Sequence, residues 1–313
     1  MFLITGVAGF IGFHFALMLL NMNKSVIGID NLNNYYDTNV KKQRLSILKK
    51  YKKFKFYKKD LSKKNSLNVI NKNFKKIHYV IHLAGQAGVR YSIINPWTYI
   101  LNNQFAFINL LEFFKKSKNL KILTYASSSS VLGGKKTVSK PISIYAESKL
   151  SMENISNIYS DIYNMKIVGM RFFTVYGPYG RPDMSVYKFT KLILANKFID
   201  VFNNGDHKRS FTYIDDIVGN IYKIIIKTKN LKKSFHEVVS IGNPRSVDLK
   251  KMIKLLENLL GKKAKKNFLP LQVGDVKYTK AYVGNETSKY SFKFNTQIEA
   301  GLKKFVDWYQ AKK

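Results

Sequence analysis

The sequence predicts an α/β fold: a doubly wound parallel sheet with a smaller C-terminal α/β lobe. Three observations predict it. Short apolar runs alternate with helix-length amphipathic stretches through the first half. Three glycines at a fixed spacing, Gly6, Gly9 and Gly12, join the first apolar run to the first helix. Past about Tyr176 the rhythm breaks at the Gly- and Pro-rich stretch 177–183, and shorter helical patterns follow.

In chain order, Phe2–Thr5 reads as a buried strand and 10–22 as a helix. Val26–Asp30 is a second strand and 40–50 a helix. Residues 54–57 and 79–83 are the third and fourth strands. A long helical period covers 97–117. Residues 122–126 are the fifth strand, 145–163 a helix and 167–173 the sixth strand. Strands separated by helix-sized crossovers imply parallel pairing with right-handed connections and helices on both faces. Helical patterns at 186–195, 214–227 and 247–260 belong to the second lobe. The expected division is 1–172 and 173–313, with a segment around 211–242 returning to the first domain.

A chain of 313 residues with 45% hydrophobic content has ample material for a core. It has no cysteine, which excludes disulfides and thiolate metal sites. Lys+Arg is 54 against 19 Asp+Glu, a net charge of +35. The lysines fall in pairs along the chain and form no tail or basic helix. Compositional drift of the surface explains them better than a nucleic-acid site, and no nucleic-acid partner is expected. Residues 2–20 contain no Lys, Arg, Asp or Glu. With three spaced glycines and no basic leader, they read as a buried strand and helix, not a membrane span or signal. A cytoplasmic location and no membrane partner are expected.

The glycine turn carries the first chemistry. Unpaired N–H groups at a helix start, and the positive end of its dipole, favour a diphosphate there. Glycines permit the tight turn and the close approach of phosphates. Asp30 ends the next strand, where a carboxylate accepts from adenosine ribose hydroxyls and repels a 2′-phosphate. These features make the sheet Rossmann-type and the cofactor NAD, not NADP. Phe10, Ile11 and Asn31 complete this cofactor set.

Tyr145 and Lys149 give Tyr-x-x-x-Lys at a helix start, both on one face. An ammonium beside a phenol favours the phenolate, so the spacing predicts a lowered Tyr145 pKa and a general base. The serine run 127–130 leaves the fifth strand at its carboxyl end, where ligands sit in open parallel sheets. The five histidines have no metal-ligand spacing, so no metal is expected.

Longer stretches then become specific: 28–37 (GIDNLNNYYD), 82–92 (HLAGQAGVRYS), 171–184 (RFFTVYGPYGRPDM), Arg209 with 211–217, 274–276 and 305–309. On these the chain resembles the extended short-chain dehydrogenase/reductases of the NAD-dependent nucleotide-sugar epimerase/dehydratase family, and within it the UDP-glucuronate 4-epimerases. The resemblance implies a catalytic trio of Ser128, Tyr145 and Lys149. It implies cofactor contacts from Asp60, Leu61, Leu83, Ala84 and Gln86, and substrate contacts from Arg90, Ser128, Thr174, Arg181, Arg209 and Asp275. Arg181 would pair with a sugar carboxylate and Arg209 with the diphosphate. A UDP-sugar partner and a homodimer built on helices near 97–117 and 145–163 are likewise implied.

The implied reaction is C4 epimerisation through a 4-keto sugar, UDP-glucuronate to UDP-galacturonate, with no net redox change. UDP-hexose or UDP-N-acetylhexosamine epimerisation, and decarboxylation or dehydration, are the alternatives. Related lyases place acidic residues after the catalytic hydroxyl, where this chain has Ser129 and Ser130. Four departures stand out from the family pattern. Leu132 replaces a tyrosine, the loop 133–141 is short, Ser210 stands where aspartate is common, and Tyr282 replaces an expected acid. A changed pocket and neutral loop drift both account for them.

Overall fold

The computed structural model describes residues 1–134, 140–272, 276 and 278–311. In order these are β1 (Phe2–Thr5), α1 (Phe10–Asn21), β2 (Val26–Asp30), α2 (Thr38–Leu48), β3 (Phe54–Lys58) and a 3-10 segment (Ser66–Lys76). Then come β4 (Tyr79–His82), α3 (Val89–Ile94), α4 (Trp97–Tyr99), α5 (Ala106–Phe114), β5 (Ile122–Ser128), α6 (Ile144–Tyr163) and β6 (Lys166–Phe172). The remainder comprises β7 (Thr174–Tyr176), α7 (Ser185–Leu194), β8 (Phe198–Phe202), β9 (Lys208–Arg209), β10 (Phe211–Tyr213) and α8 (Ile214–Thr228). It ends with β11 (Phe235–Ile241), β12 (Val247–Asp248), α9 (Leu249–Leu260), β13 (Lys265–Leu269), α10 (Gly284–Tyr290) and α11 (Ile298–Gln310).

Seven strands form one parallel sheet in the order β11-β6-β5-β4-β1-β2-β3. The fold is therefore α/β and Rossmann-type. The order reverses between β1 and β4, which opens a crevice at their carboxyl ends. The glycine turn after β1 and the loop after β4 border that crevice. β1 is buried at all four residues and α1 at Phe10, Phe13, Phe15, Ala16, Leu19 and Leu20. That double burial accounts for the uncharged run 2–20. No helix among the described residues is long and apolar enough to cross a membrane.

Side chains of α1, α2 and α8 pack on one face of the sheet, in a core that continues into α7, α9 and α11. Those of the 3-10 segment, α5 and α6 pack on the other. β3 is an edge strand, and its exposed Lys55 and Lys58 discourage strand addition.

Three differences from the sequence reading matter. β5 runs on to Ser128, so Ser127 and Ser128 end the strand in register with Arg171 and Phe172. β11 is a seventh strand that the sequence reading did not assign; its residues 235–241 pair with 166–172. The stretch 97–117 is not one regular helix. Residues Ile100–Phe105 are π-helical, between α4 and α5. The wider turn lets buried Asn103 reach inward. It accepts from the Gln86 N–H at 2.7 Å, donates to the Gln86 carbonyl at 3.1 Å and donates to Ser148 Oγ at 2.8 Å.

Candidate active site

The crevice is a cavity of about 810 Å³. Gly6, Gly9, Phe10, Ile11 and Gly12 form its floor. Gly6 lies at φ +69°, and a Cβ there would sit 2.6 Å from the Ala84 nitrogen. A Cβ on Gly12 would sit 2.3 Å from the Gly6 carbonyl oxygen. The motif is therefore required by the turn's own packing. Gly9 caps α1 with no side chain, so the first amides of the helix remain available to an anion. This glycine cradle suits a diphosphate.

Asp30 reaches across from β2. Its Oδ2 accepts from the Ala8 N–H at 3.0 Å and its Oδ1 from the Leu32 N–H at 2.8 Å. Burial raises its pKa, while those N–H groups and the Lys41 charge oppose the rise. The carboxylate thus both holds the glycine turn and lines the cavity. Around it lie Asn31, Asp60, Leu61, Leu83, Ala84 and Gln86. Asp60 is fixed by Ser62, whose N–H and hydroxyl donate to Oδ1 at 2.9 and 2.8 Å. Ala84 donates its N–H to Thr5 Oγ1 at 3.3 Å, which ties the β4 loop to β1.

Ser128, Tyr145 and Lys149 line the same cavity. Ser143 caps α6 by accepting from the Ala146 N–H at 3.1 Å, which fixes where the helix, and so Tyr145, begins. Ser128 lies near enough to Tyr145 for its hydroxyl to favour the phenolate. Ser128 Oγ also accepts from the Ser130 N–H at 3.1 Å, which turns the chain back after β5. Lys149 is buried and donates to the Ala126 carbonyl at 2.8 Å; burial lowers its pKa to about 8.

The predicted lowering of Tyr145 is corrected here. Burial raises its pKa, and the influences that pull back are the nearby Ser128 hydroxyl and then the Arg181 charge. Lys149 instead aims its ammonium at the end of β5.

Behind the trio lies an ion pair. Glu153 accepts from Arg171 Nε at 2.8 Å, from Arg171 Nη2 at 2.6 Å and from Ser127 Oγ at 2.5 Å. It locks α6 to β5 and β6 one residue below Ser128.

Arg90, Thr174, Arg181 and Arg209 border the same cavity. Arg90 lies over the Phe202 ring at 4.7 Å. Arg209 donates to the Val276 carbonyl at 2.5 Å. Arg181 donates to Asp183 through Nε at 3.0 Å and Nη2 at 2.5 Å, and lies 5.8 Å from the Tyr35 ring centre. That leaves three guanidinium N–H groups for other acceptors. Asp275 lies outside the described residues. All other site residues expected from sequence meet in this one cavity. Sequence reasoning missed Tyr35, Lys41, Asp183, Lys188, Phe202 and His207, which also line it. The Asp183 partnership with Arg181, two residues away, was a readable signal; the others are brought in by the fold.

The departures resolve unevenly. Leu132 is buried and fills apolar space. Residues 135–139 of the short loop lie outside the described residues, but its ends close through Lys140 N–H to Val131 carbonyl at 3.0 Å. Buried Ser210 accepts from the Ala281 N–H at 2.9 Å, so its hydroxyl serves the packing of 279–281. Tyr282 is 43% exposed with Lys280 over its ring, away from the residues that line the cavity.

Comparison with known proteins gives the same picture. Residues 2–242 match the NAD dependent epimerase/dehydratase family. Protein CapI of Staphylococcus aureus is 42% identical over 98% of this chain and 97% of its own. A UDP-glucuronate 4-epimerase of Thermodesulfobacterium geofontis is 40% identical over 98% of this chain and 95% of its own. A UDP-glucuronic acid 4-epimerase of Bacillus cereus, solved with UDP-glucuronic acid and NAD, superposes with a TM-score of 0.92. It is 31% identical, over 100% of this chain and 99% of that one. By the match over residues 2–242 and by these relatives, this chain belongs to the NAD-dependent epimerase/dehydratase family.

Proposed function

We propose that the protein is a UDP-glucuronate 4-epimerase. The observation that carries this reading is the convergence of Ser128, Tyr145 and Arg181 on one cavity at the end of β5, where Ser129 and Ser130 follow. When bound, NAD supplies oxidation and re-reduction at sugar C4. Gly6, Gly9, Gly12 and the start of α1 hold its diphosphate, and Asp30 its adenosine ribose. Asn31, Asp60, Leu61, Leu83, Ala84 and Gln86 line the remainder of its path.

Tyr145 takes the proton of the 4-hydroxyl and returns it, with Ser128 sharing that proton. Its raised pKa disfavours the phenolate that must take the proton, so a cation beside it must favour that form. Arg181 is such a cation in this cavity. Lys149 holds the nicotinamide ribose. Arg181 meets the uronate carboxylate, Thr174 the sugar, and Arg209 and Arg90 the nucleotide end, with Asp275 in the segment that lines it. The serines at 129 and 130 leave no carboxyl for elimination, which favours inversion over loss of water or carbon dioxide.

The homodimer reading rests on an apolar surface. Trp97 is 76% exposed, Leu101 50%, Ile158 53% and Ile162 62%, all on the 97–114 stretch and α6. A second copy of the chain covering it fits the family, and a cytoplasmic location suits a sugar-nucleotide substrate.

The deciding experiment is product analysis. UDP-glucuronate should yield UDP-galacturonate of equal mass with no accumulation of NADH. Arg181→Ala should raise KM for the uronate about 10- to 100-fold, the loss of a charge-assisted bond, and leave KM for an uncharged UDP-hexose nearly unchanged, while kcat falls for both through Tyr145. A product lighter by water or carbon dioxide, or no inversion at C4 by NAD-loaded protein, would refute the reading.

A further inference from the structure

Arg44, on α2, is fully buried, with 0% exposure. No hydrogen bond of its guanidinium goes to a carboxylate; its N–H groups meet four neutral oxygens. Nη1 donates to the Ala8 carbonyl at 2.8 Å and to the Tyr36 hydroxyl at 2.8 Å. Nε and Nη2 donate to the Tyr179 carbonyl at 3.2 and 2.6 Å, and Nη2 to the Gly180 carbonyl at 3.3 Å. Every N–H of the fork is thereby engaged.

The two ends of this fork lie in different places. Ala8 sits inside the glycine turn, and Asp30 holds its N–H while Arg44 holds its carbonyl. Tyr179 and Gly180 immediately precede Arg181. Tyr179 has φ +56°, a left-handed backbone state that a bulky residue holds only where its surroundings impose it. Arg44 grips the carbonyl of that residue. Two further side chains from the cofactor half grip the same loop: His14 Nε2 donates to the Pro178 carbonyl at 2.9 Å, and the Tyr35 hydroxyl donates to Asp183 at 3.5 Å.

We propose that Arg44 is a positioning residue that couples the dinucleotide turn to the Arg181 loop. Its planar fork makes the placement of Arg181 depend on the geometry of the cradle under the cofactor diphosphate, and the reverse. A lysine keeps the charge but presents a compact ammonium with three donors, which cannot span both loops. The substrate used in the test rests on the function proposed above; the cofactor readout does not.

The test compares Arg44→Lys, Arg181→Ala and the double variant at saturating NAD, with thermal melting to confirm folding. Arg44→Lys should raise KM for UDP-glucuronate about tenfold with kcat within about threefold, and release NAD about tenfold faster, within the usual range of site coupling. The double variant should have the KM of Arg181→Ala alone, because the two substitutions act through one contact. KM effects that multiply, or NAD release at the wild-type rate, would overturn the proposal. If wild-type protein does not turn over UDP-glucuronate, the substrate reading fails, and NAD release by Arg44→Lys alone decides for or against the coupling. Should Arg44→Lys not fold, Tyr36→Phe removes one acceptor of the fork and should speed NAD release about threefold, the loss of one hydrogen bond; no change there also overturns it.

Discussion

Replacing Gly12 with alanine tests the glycine turn most directly. The added Cβ would lie 2.3 Å from the Gly6 oxygen, 3.0 Å from its carbon and 3.1 Å from Val7 Cα. Ordinary contact begins at 3.4 Å, so turn and helix must part by about 1.1 Å. Neither side moves freely. The Gly6 carbonyl accepts from the Gly9 N–H at 2.9 Å, and the Gly6 N–H donates to the Ile29 carbonyl at 2.8 Å. Overpacking of this kind costs about 1–3 kcal/mol, offset by about 1 kcal/mol of alanine helix propensity. Stability should therefore fall only modestly.

Cofactor binding should suffer more. A shift near 1 Å misaims the amides that meet the diphosphate, and losing one such charged bond is worth about 1.5–3 kcal/mol. That predicts NAD binding about 10- to 100-fold weaker, measured by calorimetry or by NAD content after purification. Gly219 supplies the control. It lies within α8 with nothing within 4 Å of its virtual Cβ. Gly219→Ala should stabilise the fold by about 0.5–1 kcal/mol and leave NAD untouched. If Gly12→Ala binds NAD within about threefold of wild type, the argument from close packing to cofactor binding is wrong.

Three other outcomes follow from the same geometry. Lys149→Met should abolish turnover yet raise the melting temperature at pH 7, because a pKa held at about 8 against 10.5 marks a buried charge that opposes folding by about 3 kcal/mol. The sign follows from proton binding: below pH 8 the penalty is complete, and from 8 to 10.5 the folded lysine loses its proton first, so wild-type stability rises with pH. A melting temperature that falls with Lys149→Met would contradict this. Glu153→Gln should destabilise by about 3–5 kcal/mol, since it removes the buried carboxylate that pairs with Arg171; a melting shift under a few degrees would argue against that pair as the anchor of α6. Ile158→Lys with Ile162→Lys should convert a particle of twice 36.2 kDa to one of single mass in light scattering, with folding retained; an unchanged mass would remove those residues from the interface.

Much of this protein was legible from its residues alone. Short apolar runs set between period-3.6 stretches marked six of the seven main strands, because buried parallel strands are near-continuous apolar runs. The glycine spacing, Asp30, Tyr145 and Lys149 were readable because each is tied to a local element whose start or end the sequence marks, whereas Ser128 was picked out of its serine run by the family resemblance. Strand β11 was not, since its residues Phe235, His236, Glu237 and Ser240 mix polar and apolar types on a half-covered edge.

What the tertiary structure decided lies between elements. Asn103 became an inward-facing bridge only because a π-helical turn aims it at Gln86. Arg44 looks like an ordinary surface charge in one dimension; it acquires meaning when α2 is packed between the glycine turn and the 177–183 loop. The Tyr145 pKa was decided there too. Spacing put a lysine one helical turn away, but desolvation and the reach of Arg181, both set by packing, determine the phenol. Local chemistry is written in neighbouring residues, whereas burial and long-range charge depend on which distant segments the folded chain brings into contact.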